Sequence, residues 1–212
     1  MVFESLNAKG RPLTPADLIR NYFFMKIHVY EQERLYSGYW KPMQDLLGED
    51  LAEFIRHYLM KDGGIIKQSD VYFALKGRAE EKSPQETVAY LEEITRFAKL
   101  YARLLRPELE PRSMVSQQMR RLNRIEVTTA YPLLLNVYQD FAAGMLSEGD
   151  FAELLSVLEN FMIRRFVCGV PTYGLNKVFP PLYAQASQHP SLLAGLKELL
   201  RTKSYPRGCG VS

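Results

Sequence analysis

The chain has 212 residues, of which 47% are hydrophobic and 24% charged, a composition typical of a folded globular protein. Its formal net charge of +3 is too small to imply a nucleic-acid partner, so only a local cluster of cations could do so. No apolar run approaches the roughly 18 residues needed to span a membrane, and two distant cysteines, Cys168 and Cys209, are typical of free thiols in a reducing compartment. We therefore expect a cytoplasmic protein without a membrane partner.

Residues 1–13 are interpreted as the remnant of an upstream domain. Met1–Leu6 resembles the end of a strand. Asn7–Gly10 then supplies a turn, because Asn and Gly tolerate positive φ angles. This strand has no partner in the sequence, so we expect its neighbours to lie upstream.

The first long helix has a clear start signal. Thr14 is an N-cap residue, Pro15 suits the first helical position, and Asp17 completes a capping box. The helix is expected to continue to about Tyr30. Its predicted apolar arc comprises Leu18, Ile19, Tyr22, Phe23, Met25, Val29 and Tyr30, and its predicted polar stripe comprises Asp17, Asn21, Phe24 and His28.

The rest of the chain shows helical periodicity interrupted by Gly and Pro, with no useful β-alternation. The sequence therefore predicts an all-α fold, an irregular array of about nine to ten helices joined by short loops. The expected ranges after the first helix are 37–47, 49–61, 69–81, 83–105, 112–124, 128 or 131 to 146, 151–168, 175–187 and 191–200, with the Pro180-Pro181 pair splitting or kinking the last but one. Residues 14–202 form the helical domain, with a candidate sub-boundary at 107–111 and a flexible tail at 203–212.

Two groups of arginines are candidates for ligand contacts. On the helix that starts at Arg112, the side chains of Ser113, Gln117, Arg120, Arg121 and Arg124 fall within about 100° of one another, which suits phosphate groups but equally describes a solvated helix face. Arg112 itself belongs to the same candidate set. Arg165 falls inside an apolar stripe and therefore needs an internal carboxylate, a carbonyl group, or a phosphate of a ligand.

No complete catalytic or metal-binding motif occurs in the sequence. The three histidines, His28, His57 and His189, show none of the spacings that hold a metal, and each is expected to be structural or on the surface. We assign no catalytic residue and no metal ligand.

Two segments carry a family resemblance. The first is Phe3-x-x-Leu6-Asn7-x-x-Gly10-x-x-Leu13-x-x-x-Asp17-Leu18-x-Arg20-Asn21. The second is Phe161-x-Ile163-Arg164-Arg165-x-Val167-Cys168-Gly169-x-Pro171-Thr172-x-x-Leu175-Asn176. Together they resemble the GmrSD-type restriction endonucleases, which join a ParB-like domain with a D-G-Q-Q-R motif, a helical region and an HNH nuclease. The resemblance covers the middle, helical part of that architecture.

The resemblance implies a helical fragment of a nucleotide-dependent nuclease that cleaves modified DNA in phage defence. The family uses a nucleoside triphosphate and Mg²⁺, but this sequence has neither D-G-Q-Q-R nor the HNH histidines, so we expect the chain to hold no cofactor and to be inactive alone. The residues implied to line the nucleotide-pocket rim or to brace that domain are Asn7, Lys9, Gly10, Asp17, Arg20, Asn21, Arg164 and Arg165.

Two other interpretations stay open from the sequence. The chain could be a stand-alone helical module that binds another protein, such as a partner carrying the missing domains, or a second copy of itself through Val2, Phe3 and Leu6. It could also be a DNA-binding adaptor, whose affinity would fall steeply with salt and depend on Arg120 and Arg124.

Overall fold

The computed structural model describes residues 13–203, and within that range the protein is helical throughout, with no strand. The predicted all-α fold is confirmed. The strand-like segment at the N-terminus, together with Asn7, Lys9 and Gly10, lies outside the described residues, as do Cys209 and almost all of the tail predicted at 203–212. No helix in the described range is both long and apolar enough to cross a membrane.

The described residues form two compact units. The first comprises 13–59 and 66–99, and the second comprises 60–65 and 100–203. The division along the chain falls between Lys99 and Leu100, inside a helix, and not at the Pro107–Pro111 segment. The α-helices of the first unit are α1 (Pro15–Lys26), α2 (Val29–Leu35), α3 (Lys41–Leu47), α4 (Leu51–Met60), α5 (Val71–Ala79) and the larger part of α6 (Pro84–Leu105).

Helix α1 begins as predicted and ends earlier than predicted. The hydroxyl of Thr14 accepts a hydrogen bond from Asp17 N at 3.2 Å, and Thr14 N donates to Asp17 Oδ2 at 3.1 Å, so the capping box is confirmed. The helix stops at Ile27, whose backbone is extended. The amide of Gln32 donates to the carbonyl oxygens of Phe24 at 2.7 Å and Ile27 at 3.3 Å, which satisfies the exposed helix end.

This break changes which side chains are buried. The predicted apolar arc is wrong at Leu18, Met25, Val29 and Tyr30, which are 36%, 77%, 79% and 81% exposed. The predicted polar stripe is wrong at Phe24, which is buried. A helical wheel assumes one continuous helix, so the break at Ile27 explains the misplaced Val29 and Tyr30. Leu18, Phe24 and Met25 lie within α1, before the break, and the break does not explain them.

Of the predicted N-caps of α5 and α6, one is confirmed and the other is wrong. Ser83 N donates to Glu86 Oε2 at 2.8 Å and Glu86 N donates to Ser83 Oγ at 3.3 Å, which confirms the capping box of α6. Ser69 is not the cap of α5, because it lies inside a 3₁₀ turn, Gln68–Asp70, that precedes the helix.

The core of the first unit is a cluster of aromatic rings. Phe23 lies 6.5 Å from Trp40 and 6.0 Å from Tyr90 between ring centroids, and Tyr58 lies 5.3 Å from Phe97. Edge-on and tilted pairs at these distances add to the free energy gained by burial alone. The hydroxyl of Tyr58 donates to Glu93 Oε1 at 2.8 Å, so α4 and α6 are also joined by a polar contact.

His57 on α4 is buried in the first unit, with a side chain only 3% exposed. Its Nε2 lies 3.1 Å from Arg56 Nη2 and 3.2 Å from Glu53 Oε1, so a guanidinium and a carboxylate both face the same ring nitrogen. Burial lowers the pKa of His57 to about 4, with Glu53 opposing that shift and Arg56 adding to it. The expectation of a structural histidine therefore fits its position.

The pKa of His57 predicts an acid-sensitive first unit. Because the unfolded chain has the higher histidine pKa, of about 6.5, it binds a proton first as the pH falls, and stability is lost from about pH 6.5 down toward the folded pKa. We expect the free energy of unfolding to drop by about 1 kcal/mol between roughly pH 7 and pH 5.5 from this group alone. Denaturant titrations at both pH values, with His57→Gln as the comparison, measure it; an equal pH dependence in the variant would contradict it.

The second unit contains the end of α6 and the remaining helices. Helix α8 lies at its centre, with Leu133, Leu134, Leu135 and Val137 fully buried. Asn136 on this helix donates to the carbonyl of Lys61 at 2.7 Å, which ties the 60–65 segment to it. The helices are α7 (Ser113–Asn123), α8 (Tyr131–Ala142), α9 (Glu148–Val167), α10 (Leu175–Val178), α11 (Leu182–Ala186) and α12 (Leu192–Thr202), and the break between α10 and α11 confirms the predicted split.

A buried carboxylate organises the junction between α6 and α7. Glu110 is 4% exposed, and it accepts hydrogen bonds from the Tyr138 hydroxyl and, at 3.1 Å, from Arg112 N. Arg103 Nη1 and Arg112 Nη1 lie 3.5 and 3.4 Å from its two oxygens. Burial raises the pKa of the Tyr138 phenol, with the hydrogen bond to Glu110 as the second cause, so the hydroxyl stays a donor.

Cys168 is disulfide-bonded, so the expectation of a free thiol is wrong at this residue. That expectation was one of two reasons for a cytoplasmic location, which stays a prediction.

We expect Tyr138→Phe to weaken the second unit. The variant removes a donor from a buried carboxylate while preserving the ring, so the free energy of unfolding should fall by about 1–3 kcal/mol. Chemical denaturation followed by circular dichroism measures the change. Tyr173→Phe, at a residue that is 91% exposed, is the matched control; the prediction fails if the two variants are equally stable.

Candidate nucleic-acid interface

Helix α7 has one buried and one cationic face. Val115, Met119 and Leu122 recur at helical spacing and are almost fully buried, and α7 packs against α9. Gln117, Arg120, Arg121 and Arg124 are exposed. The predicted clustering of these four residues is thus present in the structure.

The four side chains line a cavity of about 620 Å³ together with Ile125 and Glu159. Three arginines and one glutamate give this lining a formal charge of +2. We call it the basic cavity.

The arginines of the basic cavity differ in their partners. Arg121 Nε lies 3.0 Å from both oxygens of Glu159, a carboxylate that is only 8% exposed. The ion pairs of residues 13–203 include neither Arg120 nor Arg124. Arg121 is therefore compensated within the protein, whereas the charges of Arg120 and Arg124 face solvent.

This arrangement is chemically suited to an anion. Guanidinium groups form forked hydrogen bonds with phosphate oxygens and keep their charge at any physiological pH. Contacts of this kind fix the position of a nucleic-acid backbone without reading its sequence.

Arg112, the fifth residue of the predicted set, has a different environment. It precedes α7, pairs with Glu110, and places its guanidinium carbon 4.3 Å from the centre of the Phe141 ring. Arg112 does not line the basic cavity.

The residues implied to brace a nucleotide domain fall in both units. Asp17, Arg20 and Asn21 lie on α1 in the first unit, where Arg20 is 4% exposed and its Nη2 lies 3.2 Å from Asp17 Oδ1. Arg164 and Arg165 lie near the end of α9 in the second unit. Asn7, Lys9 and Gly10 are outside the described residues.

Arg165 donates a hydrogen bond to a backbone carbonyl, while its buried Nε has no hydrogen-bond partner in the described part of the chain. Its Nη2 donates to Pro171 O at 2.7 Å, and its guanidinium carbon lies 5.5 Å from the centre of the Phe161 ring. Of the three alternatives raised by the sequence, the carbonyl contact is the one present. Its neighbour Arg164 is exposed and lines a separate cavity of about 230 Å³ with Lys197 and Arg201.

Two features of this surface were not predicted from the sequence. Glu159 lies at the edge of the apolar stripe of α9, and a carboxylate in that position was a signal that it pairs with a cation from another helix. Phe166 was placed inside the same stripe, but it is 84% exposed.

No family model, curated protein or solved structure matches this chain. In residues 13–203, no group of three or more His, Cys, Asp or Glu could hold a metal ion. The account of the site therefore rests on its own geometry.

Because Arg121 has an ion-pair partner and Arg120 and Arg124 have none among the described residues, their substitution should affect stability unequally. Arg121→Ala leaves the nearly buried Glu159 without its cation and should lower the free energy of unfolding by about 1–3 kcal/mol. Arg120→Ala and Arg124→Ala should each change it by less than about 0.5 kcal/mol, as expected for exposed side chains. Urea titrations of the three variants measure the difference, and three equal values would refute the assigned roles.

Proposed function

We propose that this chain forms the helical region of a GmrSD-type, nucleotide-dependent restriction system, and that its basic cavity holds the phosphate backbone of DNA. The two sequence segments and the all-helical fold support the first part. The second part is carried by one observation, the two uncompensated guanidinium groups of Arg120 and Arg124 beside the Arg121–Glu159 pair.

The Arg121–Glu159 ion pair forms part of the lining of the basic cavity. Because Glu159 is occupied by Arg121, it neutralises neither of the two remaining arginines. Arg120 lies in the last turn of α7 and Arg124 is its C-cap residue, four positions later, so the two present adjacent charges. Removing their counterions on DNA binding is the main source of affinity for such a site.

The proposal gives this chain a scaffolding and DNA-contact role and assigns it no catalytic residue. Nucleoside triphosphate hydrolysis and DNA cleavage are proposed for the ParB-like and HNH parts of the family architecture. The dependence on Mg²⁺ and on DNA modification belongs to the same proposal.

DNA binding should depend on α7 and on salt. We expect a fluorescein-labelled duplex to bind the chain at least about tenfold more weakly as salt rises from roughly 50 to 200 mM, because each phosphate contact adds about 0.9 to the salt slope and the site offers two or more. The double variant Arg120→Ala/Arg124→Ala should bind more weakly still and should reduce the slope of log affinity against log salt by about 2. Fluorescence polarisation measures both quantities.

The control removes the same number of charges elsewhere. Arg34→Ala/Lys41→Ala deletes two exposed cations of the first unit, whose side chains are 62% and 55% exposed. This control should bind like the unchanged chain. Equal losses in the two double variants would show that binding follows net charge and would overturn the proposed interface.

A second candidate function is protein binding through the first unit. Met25, Val29 and Tyr30 are largely exposed where α1 ends and α2 begins, and His28 stacks on Tyr30 with ring centroids 5.4 Å apart. Exposed apolar clusters of this kind mark interaction sites in soluble proteins. A second copy of the chain and a chain carrying the other family domains are the partners that this candidate predicts.

The oligomeric state tests the self-association form of this candidate. If the cluster joins two copies, light scattering after size exclusion should give a dimer, and Val29→Asp/Tyr30→Asp should give a monomer because buried charges oppose association. A monomer from the unchanged chain would rule out self-association. The same substitutions should leave DNA affinity unchanged if DNA binds at α7.

A further inference from the structure

A second, apolar cavity adjoins the basic cavity in the second unit. It has a volume of about 630 Å³ and shares Arg124 and Ile125 with the basic cavity. Its remaining walls are mainly the apolar side chains of Met162, Ile163, Phe166, Val170 and Pro171. We call it the apolar cavity, and its size lies within the range of about 300–1,000 Å³ found for small-molecule sites.

The chain reversal after α9 builds one wall of the apolar cavity. Gly169 has a φ of +64°, a left-handed conformation that glycine adopts without strain. Its N donates to Phe166 O at 3.0 Å, and Val170 N donates to Arg165 O at 2.9 Å. The side chain of Arg165 then holds Pro171 O at 2.7 Å, so the R-R-x-x-x-G-x-P-T segment serves as the scaffold of this wall.

The turn after α7 builds the opposite wall. Glu126 has a φ of +52°, a left-handed conformation that is uncommon for a residue with a side chain. Its N donates to Asn123 O at 3.1 Å, and its O accepts from Thr128 N at 2.9 Å. The turn keeps this exposed carboxylate at the lining of an otherwise apolar cavity.

The two cavities together have the chemistry of a nucleotide site. The apolar cavity offers flat apolar surface, including the 84% exposed ring of Phe166, on which a base can stack. Arg124 and Arg120 offer guanidinium groups for a phosphate. The Glu126 carboxylate can only accept hydrogen bonds when ionised, which matches the N–H groups on the edge of a base.

We propose that the joined cavities bind one nucleotide unit, with its base stacked on Phe166 inside the apolar cavity and its phosphate on Arg124 and Arg120. This inference rests on the phosphate-binding role proposed for α7, and adds that the site accepts an unpaired base. The nucleotide is either a free mononucleotide or an unstacked nucleotide of a single strand. Both share the same base and phosphate chemistry, and the experiment separates them.

The test compares strands with and without bases. The probes are a labelled deoxyadenosine strand of about 16 nucleotides, an abasic strand of the same length, and adenosine 5′-monophosphate. We expect Phe166→Ala to weaken binding of the deoxyadenosine strand by about fivefold or more, as for loss of one stacked base, and to leave the abasic strand unaffected. Arg124→Ala should weaken the binding of both strands. Phe166→Tyr, which keeps an aromatic ring, should bind both strands like the unchanged chain.

Phe73→Ala is the matched control, because Phe73 is a 70% exposed phenylalanine of the first unit, and it should leave all three probes unaffected. Binding of adenosine 5′-monophosphate that depends on Phe166 would identify a free nucleotide as the ligand. Binding of the strand alone would identify an unstacked nucleotide.

The failures are distinguishable. Equal affinity for the deoxyadenosine and abasic strands, or an unchanged affinity in Phe166→Ala, would overturn the base site and leave the phosphate interface standing. Absence of binding to every probe and to duplex DNA would overturn both. Binding of the mononucleotide without any strand would support the base site and overturn the DNA interface.

Discussion

The burial of the Glu110 carboxylate is the constraint on which the second unit depends. A buried charge is stable only when its hydrogen-bonding capacity is met, and here the donors come from three places in the chain: Tyr138 on α8, the backbone of Arg112 at the start of α7, and Arg103 on α6. Ser116 Oγ adds a hydrogen bond of 2.6 Å to Pro107 O. These contacts fix the direction in which α7 leaves the Pro107–Pro111 turn, and hence the position of its cationic face.

The candidate site follows from the way charges are compensated along α7. At the start of α7, Arg112 forms an ion pair with Glu110 and a cation–π contact with the Phe141 ring. Near the end of α7, Glu159 forms an ion pair with Arg121 and with neither Arg120 nor Arg124. The same helix therefore contains arginines that stabilise the fold and arginines that remain available to a ligand. This division explains why a face with an ordinary solvated pattern in the sequence becomes a concave cationic site in the folded chain.

The sequence predicts the local structure well and the surface poorly. Capping boxes at Thr14 and Ser83 depend on residues three positions apart, so they were recognisable directly. The end of α1 depends on the Gln32 amide reaching back to Phe24 and Ile27, a tertiary detail that periodicity does not contain. The exposure of Phe166 and the pairing of Glu159 with Arg121 likewise depend on how the helices pack, and the shared cavity lining follows from that packing.

The central claim is that nucleic acid contacts the end of α7 together with the turn after α9. Hydrogen–deuterium exchange of the whole chain, with and without a single-stranded oligonucleotide, tests it most directly, because a ligand slows exchange where it suppresses local opening. The account predicts slower exchange in residues 117–126 and 160–172 and no change in α1. Protection confined to other segments, or none at a saturating concentration of the oligonucleotide, would contradict it.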